Sequence, residues 1–411
     1  MAVMQTWLNK FRGKKLLSKG FLNSSMAGYG IRSYMVMPGQ AVWMDRDYAQ
    51  FAREAYVKNV VAHRAIDMVS TAAASIKLEL YSINARGTRT EEKAHPILKI
   101  LKKPNPTSAT SDFFQALYNY YQISGNVFVQ AAGGKDAPPS EMHLLRPDRV
   151  SIISGKGTMA EAYRYTVGNQ TRDFPVNKIT GRSNILHIRK FNPLNDWYGL
   201  SSVEAAAYSI DQHNQSGAWN QALLQNGARP SGALVVRSDA NSGGMLSTDQ
   251  YSRVKQQIDE QFSGAINAGR PLLLEGGLEW KEMSMTPKDM DFIEAKHSSA
   301  RDIALAFGVP PQLLGIPGDN TYSNLQEARL ALWEQTVIPL TQRIIDSFNN
   351  WLIPFFGNNL EIVADTDSIT AIAGSNQMIW DRVEKANFLT DNEKRAAVGY
   401  PPLNTKNKHI A

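Results

Sequence analysis

Cysteine is absent from this chain of 411 residues. Disulfide bonds, thiolate catalysis and cysteine-ligated zinc are therefore excluded. Long apolar runs are absent as well, since none approaches the roughly 18 residues of a membrane-spanning helix. The most apolar short run, 351–356, is interrupted by Pro354, and no apolar core follows the basic start as a secretory signal would require. We expect no membrane association.

The sequence also lacks the motifs of several common enzyme classes. It has no G-x-x-x-x-G-K-[ST] phosphate loop, no H-E-x-x-H zinc motif and no G-x-S-x-G nucleophile turn. Gly28 and Gly30 have no third glycine and no strand-to-helix context, so a dinucleotide site is not indicated. Ser252 and Lys255 match S-x-x-K, but they lie on a polar helix face and the accompanying motifs are absent, which favours a chance match.

Acidic pairs are the remaining candidates for chemistry. Three D-x-D pairs are present: Asp45 and Asp47, Asp289 and Asp291, and Asp365 and Asp367. Each pair could bind a divalent cation, but we favour solvated acids or charges at helix starts. The histidines show no ligand spacing, and His187 lies in an alternating pattern typical of a structural residue in a strand. We therefore expect no catalytic residue, no metal site and no cofactor.

The composition is that of a globular protein, with 43% hydrophobic and 20% charged residues. The length suffices for roughly two to four domains. The net charge of +6 is compatible with contact to nucleic acid, although many ordinary proteins share it. Residues 1–44 are basic and contain no acid before Asp45. This arm is either mobile, or contacts nucleic acid, or contacts an acidic neighbouring subunit.

Periodicity predicts a mixed α and β region before residue 199. Helices are predicted over 45–75 and from Ser111, and strands over 76–81, 125–130, 141–150, 163–167 and 185–189. In the first helix, apolar residues and one arginine lie near helical spacing, namely Val57, Val60, Arg64, Val69 and Ala73.

A long helix is predicted over 199–227. Ser201 or Ser202 can cap its start, and Gly227 and Pro230 end it. Its middle, 211–217, is polar on all sides, so the helix either bridges solvent or packs against other chains. A strand at 233–236, a helix from Thr248 and a hairpin of 271–274 with 278–280 follow.

The stretch 301–333 contains the clearest helix start and stop signals in the sequence. A helix is predicted to stop at Gly308, because Pro310 and Pro311 follow it. A loop rich in Gly, Pro, Asp and Asn runs from Gly315 to Asn320, and another helix begins near 321–323. The loop is either an ordinary solvated connection or a functional segment.

The helix that follows this loop has apolar residues at helical spacing up to Phe348. Pro339 lies inside it and predicts a kink. Two short helices are predicted within 376–403.

The segment F-G-V-P-P-Q-L-L-G at 307–315, followed by T-Y-S-N-L-Q-E at 321–327, resembles the portal (head-tail connector) proteins of tailed double-stranded-DNA phages. Four short motifs lie in the order of that family's wing: H-P at 95–96, P-N-P at 104–106, G-N at 125–126 and L-R-P at 145–147. The resemblance extends over roughly 50–400 and also fits the portal of a phage-derived gene transfer agent.

The resemblance implies an α+β phage portal fold with a mixed α/β wing, a two-helix stem, a clip, a tunnel loop and a small helical crown. The implied divisions are a basic arm (1–44), the first part of the wing (45–198), the first stem helix (199–227), the clip (228–287), the second stem helix (288–308), the tunnel loop (309–323), the rest of the wing (324–368) and the crown (369–411).

The implied function is a dodecameric ring at one capsid vertex that passes double-stranded DNA without sequence preference. The implied partners are the terminase large subunit, which supplies ATP hydrolysis, the major capsid protein and a head-tail adaptor protein. The ring would assemble in the bacterial host cytoplasm and remain in the virion. Two alternatives stay open, namely an uncharacterised nuclease or hydrolase and a non-viral DNA-binding module.

Three groups of site residues follow from the resemblance. The tunnel loop would face DNA, the polar middle of the first stem helix would contact neighbouring subunits, and the clip would meet the tail side. The tunnel-loop residues are Gly315, Gly318, Asp319, Asn320, Thr321 and Tyr322; the stem residues are Gln212, Asn214, Gln215 and Trp219; the clip residues are Tyr251, Lys255 and Trp280.

Overall fold

The computed structural model describes eleven stretches of the chain. They are 47–84, 87–133, 138–155, 159–225, 232–236, 247–262, 278–282, 292–317, 322–357, 359–372 and 380–398. The basic arm at 1–44 lies outside them. No helix within these stretches is long and apolar enough to cross a membrane.

The first helical region is broken at Asn59. Helix α1 (Tyr48–Phe51) continues into a π-helical turn (Ala52–Val57), and α2 (Val60–Ala74) begins after Asn59. The Asn59 side chain accepts hydrogen bonds from the backbone N–H groups of Val61 and Ala62, so it starts a new helix. The prediction of one helix over 45–75 was therefore wrong.

Of the residues predicted at helical spacing in this region, Val69 and Ala73 are buried, whereas Val57, Val60 and Arg64 are exposed. Val57 and Val60 flank the break and are 76% and 71% exposed, whereas Ile66 and Val69 of α2 are fully buried. The helical phase restarts at the Asn59 cap, which rotates the apolar face away from Val57.

The region predicted as the wing contains three three-stranded antiparallel sheets and the helices that cover them. Its elements are β1 (Leu78–Ile83), β2 (Arg89–Glu91), α3 (Pro96–Lys102), α4 (Thr110–Ser124), β3 (Asn126–Ala132), β4 (Glu141–Leu145), β5 (Val150–Ser154), β6 (Ala160–Val167), β7 (Gln170–Pro175) and β8 (Ile185–Arg189). One sheet has the order β4-β3-β8 and another β5-β6-β7. The strands predicted near 76–81, 125–130, 163–167 and 185–189 are confirmed, but 141–150 is not one strand, because a 3-10 turn (Pro147–Arg149) separates β4 from β5.

The third sheet joins distant parts of the sequence. Strand β1 lies between β2 and β11 (Leu360–Ala364), with Leu78 opposite Ala364. Helix α3 packs against β1, and α2 packs against α4. Ile66, Leu80 and Leu117 are fully buried in one continuous core. Burial of such side chains contributes about 1.5–3 kcal/mol each.

Two long helices leave this core. The first is α5 (Ser202–Ala205) followed by α6 (Ala207–Gln225), and the second is α8 (Phe292–Ala306), which packs against α6. Ser201 caps α5 by accepting hydrogen bonds from the N–H groups of Val203 and Glu204, as predicted. Between them lie β9 (Gly232–Val236), α7 (Thr248–Phe262) and β10 (Leu278–Glu282), and β9 pairs with β10. The predicted hairpin partner of β10, 271–274, lies outside the described residues.

The helix predicted to kink at Pro339 has an irregular middle. Helix α9 (Tyr322–Ala331) passes through a π-helical turn (Leu332–Val337) into α10 (Ile338–Leu352). Pro339 has no N–H to donate to the preceding turn, and the widened turn lies directly before it. After β11, helical turns at 380–385 and α11 (Asp391–Ala397) match the predicted short helices.

Candidate functional site

The stop at Gly308 fixes the start of the loop that follows α8. Gly308 has a φ of +67°, a conformation that side chains with a Cβ rarely adopt. The hydroxyl of Thr336 donates a hydrogen bond of 2.6 Å to the Gly308 carbonyl oxygen. A Cβ at Gly308 would lie 2.6 Å from that hydroxyl oxygen, so only glycine fits here without a shift.

The next residues of the loop are also anchored. A 3-10 turn (Pro311–Leu314) ends at Gly315, whose φ is +71°. Ile316 is 6% exposed and packs with Ala300 and Ala304 of α8. The Arg301 guanidinium donates a hydrogen bond of 2.7 Å to the carbonyl oxygen of Pro317. The first part of the loop, up to Pro317, is thus held against α8 by these contacts.

The predicted DNA-facing tip falls mostly outside the described part of the chain. Gly318, Asp319, Asn320 and Thr321 lie there, and Tyr322 is the first residue of α9. Gly315 is exposed, with no atom within 4 Å of an added Cβ. The DNA-facing role of these residues stays a prediction.

The polar middle of α6 has partners inside its own chain. Asn214 donates to the carbonyl oxygen of Glu54 at 3.0 Å and accepts from the Asn59 amide at 3.0 Å. Gln212 accepts a hydrogen bond of 3.3 Å from Ser299 of α8. Part of the polarity of α6 therefore attaches this helix to the first helical region and joins α6 to α8.

The predicted inter-subunit role of the stem residues stays a prediction. Gln212 and Gln215 are exposed, and Trp219 is half-buried. Gln212 and Gln215 lie in the first half of α6, and Trp219 lies in the second half. The exposure of the two glutamines in a single chain is compatible with a contact between subunits.

Asn59 is the residue that sequence reasoning missed. Its amide oxygen caps α2, and its amide nitrogen donates both to Asn214 and to Nδ1 of His213, the latter at 3.2 Å. Burial, and then the positive charge of Lys296, lower the pKa of His213. The available signal was an Asn directly before an apolar helix start, which is typical of an N-cap.

A second polar cluster attaches β3 to the start of the stem. Asn126 accepts hydrogen bonds from the Gly199 N–H at 2.8 Å and from Nε2 of His187 at 3.1 Å. The His187 ring stacks on Phe128 with 4.4 Å between ring centres. Burial, and then the charge of Arg189, lower the pKa of His187 to about 3. The structural role predicted for His187 is confirmed.

The predicted clip residues are arranged on separate elements. Tyr251 is 60% exposed on α7, and Lys255 is also exposed there. Trp280 lies in β10, opposite Leu234 of β9. Their contact with tail-side partners stays a prediction.

Two members of the acidic pairs, Asp47 and Asp365, have structural partners, and Asp367 is exposed. Asp47 caps α1 by accepting from the Gln50 N–H at 2.8 Å, and Asp365 accepts from the Ser368 N–H at 3.2 Å. These contacts agree with the helix-start and turn interpretation. Asp45, Asp289 and Asp291 lie outside the described residues. Within the eleven described stretches, no three His, Asp or Glu side chains are grouped so that they could hold a metal ion.

Comparisons with known proteins agree over most of the chain. The family model of the phage portal protein matches residues 60–399. A protein of Rickettsia felis is 47% identical over 85% of this chain and 89% of its own length. The portal protein of Enterobacteria phage HK97 is 22% identical over 83% of this chain and 78% of its own length.

One solved structure extends the likeness to three dimensions. A chain from the neck of an empty gene transfer agent particle, with C6 symmetry, is 39% identical and superposes with a TM-score of 0.68. The match covers 89% of this chain and 96% of that chain. The α+β architecture expected from the sequence is confirmed by this likeness.

Proposed function

The chain belongs to the phage portal protein family, and we propose that it forms a closed ring at one capsid vertex and serves there as the channel for double-stranded DNA. The likeness to a chain of a particle neck, over nearly all of that chain, carries this proposal. The particle is a phage virion or a gene transfer agent, and the ring is dodecameric. Its partners are the terminase large subunit during packaging, the major capsid protein around it, and a head-tail adaptor protein afterwards.

The surface of the stem supports a ring. Tyr208 on α6 and both Ile293 and Leu305 on α8 are large apolar residues that are 58%, 70% and 79% exposed in the single chain. A head-to-tail contact between copies would cover such side chains, and contacts of that kind must either close or form fibres. A closed ring uses the same contact at every interface.

The anchored loop supports a channel. Its base is fixed at Gly308 and Pro317, and its tip contributes one loop per subunit to the lumen in a ring. Duplex DNA carries about one negative charge per 1.7 Å of its axis, so a channel must contact phosphates weakly and without sequence preference. Asp319 at the tip repels phosphates and favours sliding over binding.

The chain itself has a structural role, and ATP hydrolysis belongs to the terminase. The sequence has no phosphate loop of the G-x-x-x-x-G-K-[ST] type. The ring remains in the particle after assembly in the bacterial host cytoplasm.

Native mass spectrometry of the purified chain tests the ring. We expect a closed oligomer, with twelve copies as the leading species, and a central channel in electron micrographs viewed down the axis. Tyr208→Asp and Ile293→Asp, which place charge on the stem, should reduce the oligomer. Ile179→Asp is the matched control, because Ile179 is 96% exposed on the connection after β7. Monomer alone over a wide concentration range would contradict the proposal.

A further inference from the structure

A cleft of about 540 Å³ opens where α8 ends beside the start of α10. Its walls carry Tyr121 and Gln122 of α4, Lys190 directly after β8, and Arg343 of α10. Gly308 and Thr336, which anchor the loop, lie on the same cleft. The cleft is therefore placed at the joint between the wing, the stem and the loop.

Among the described residues, the lining of the cleft carries two positive charges and no carboxylate. The Lys190 ammonium donates to the Gln122 side-chain oxygen at 3.0 Å and to the hydroxyl of Ser202, and lies 5.1 Å from the ring centre of Tyr121. Arg343 donates to the Tyr121 hydroxyl at 3.4 Å. In the described part of the chain, neither cation forms an ion pair with an acid.

Uncompensated charge in a partly buried site is unfavourable. Desolvation, and then the charge of Arg343, lower the pKa of Lys190 to about 8. The polar partners of Lys190 satisfy its hydrogen bonds but do not neutralise it. A carboxylate placed in the cleft would supply the missing opposite charge and a strong acceptor for the Arg343 guanidinium.

The rim of the cleft is apolar and exposed. Leu305 and Phe191 are 79% and 80% exposed, and both line the opening. A partner that covers them must itself present apolar side chains. A DNA duplex presents phosphates along its outside and would leave both side chains in water, so the rim favours a protein segment.

The geometry points to this cleft as a receptor for an acidic side chain of a second copy of this chain, with the residues beside that acid covering Leu305 and Phe191. The inference rests on the proposed ring, because only a ring brings a second copy against the cleft of every subunit. Because Gly308 and Thr336 share the cleft, the neighbour's acid lies against the anchor of the loop. Each subunit would thereby influence the position of the loop in the neighbouring subunit.

Charge reversal provides the first test. Arg343→Glu should raise the concentration at which rings dissociate by about tenfold, since it replaces attraction with repulsion. Arg343→Lys keeps the charge and should retain most of the affinity. Arg329→Glu is the matched control, because Arg329 is an exposed arginine on α9 outside the cleft. Equal dissociation of the Arg343→Glu and Arg329→Glu rings would overturn the inference.

Cross-linking identifies the occupant. A photoreactive amino acid replaces Leu305, which tolerates exchange because it is exposed, and rings are formed from equal amounts of ¹⁴N and ¹⁵N chains. We expect mixed-isotope cross-links to a peptide that carries Asp or Glu, and their loss in Arg343→Glu. Cross-links only within one chain, only to peptides without an acid, or only to added DNA would overturn the inference.

The two experiments separate this inference from the proposed function. If the wild-type chain forms no ring, the proposed function fails and this inference fails with it. If rings form and the cross-links do not join copies at an acidic segment, the ring stands and the inference alone is wrong.

Discussion

The hydroxyl of Thr336 and the carbonyl oxygen of Gly308 are joined by a hydrogen bond across 28 residues of sequence. This bond fastens the end of α8 to the π-helical turn before α10. The residues between Gly308 and Thr336 include the 3-10 turn and α9. The hydrogen bond therefore holds the two ends of this segment together.

Replacement of Gly308 by alanine should be more damaging than replacement of Gly315. Both residues have positive φ, which costs a residue with a Cβ about 1–2 kcal/mol. Only at Gly308 would the new Cβ also meet the Thr336 side chain. We expect Gly308→Ala to lower the free energy of unfolding by about 2–4 kcal/mol and Gly315→Ala by about 1–2 kcal/mol in chemical denaturation.

A second substitution identifies the cause of that difference. In the Gly308→Ala background, Thr336→Ala removes the atoms that the new Cβ meets and should recover part of the loss. Equal losses for the two glycine variants would show that the space around Gly308 does not matter.

Loss of the Asn59 side chain should destabilise the attachment of the stem. Asn59→Ala removes a helix cap worth about 1 kcal/mol and leaves the buried His213 and Asn214 with fewer partners. We expect a loss of about 2–3 kcal/mol by denaturant titration. Thr390→Ala, which removes the exposed cap of α11, is the control and should cost about 1 kcal/mol or less.

A double-mutant cycle separates the two contributions. Asn59→Ala and Asn214→Ala should be non-additive by about 1 kcal/mol because the two amides share a hydrogen bond. If the two losses in unfolding free energy are strictly additive, the hydrogen bond between Asn59 and Asn214 contributes nothing and Asn59 acts only as a helix cap.

His187 should make the folded chain sensitive to acid. Its folded pKa of about 3 lies below the ordinary value of 6.5, so the unfolded chain binds more protons between these limits. The contribution of His187 to the free energy of unfolding is fully present above pH 6.5. It is lost as the pH falls toward 3, by at most about 1.4 kcal/mol per pH unit. His187→Gln should flatten the dependence of the unfolding free energy on pH between 6 and 4.

The control for this prediction is Thr166→Gln, which places the same side chain at an exposed position of β6 and removes no titratable group. The pH dependence of this variant should follow that of the wild-type chain. If His187→Gln retains the full wild-type slope, the buried neutral ring is not a source of acid sensitivity.

How much could be predicted from the sequence depends on the distance between partners. The Ser201 cap and the stop at Gly308 depend on residues within a few positions, and both were predicted. The pairing of Asn59 with Asn214 joins residues 155 positions apart and depends on a packed fold that no local pattern encodes. The break at Asn59 was missed for a related reason, since the valines on either side extend the apolar period across it.

Charge at the loop tip should control DNA movement if the loop faces the channel. Replacing Asp319 and Asn320 with Lys should leave the ring intact but slow packaging, most at low salt, because lysines bind phosphates that Asp319 repels. Gly318→Pro should slow packaging at every salt concentration because it stiffens the tip. An in vitro packaging assay with pre-formed rings measures both effects.

The control for added charge is Asp367→Lys, at an exposed position after β11. It should package DNA at the wild-type rate. Normal uptake by both loop variants would show that the loop is an ordinary connection.

Strand β1 obtains one of its two neighbours long after it has itself been synthesised. Strand β2 follows it closely, but β11 can pair with it only after Ala364, the partner of Leu78, has left the ribosome. Until then the nascent chain has an open strand edge beside Leu80, which is fully buried in the finished core. A copy that terminates before β11 cannot complete this sheet. Pairing of β1 with β11 therefore distinguishes subunits that extend through β11 from truncated ones.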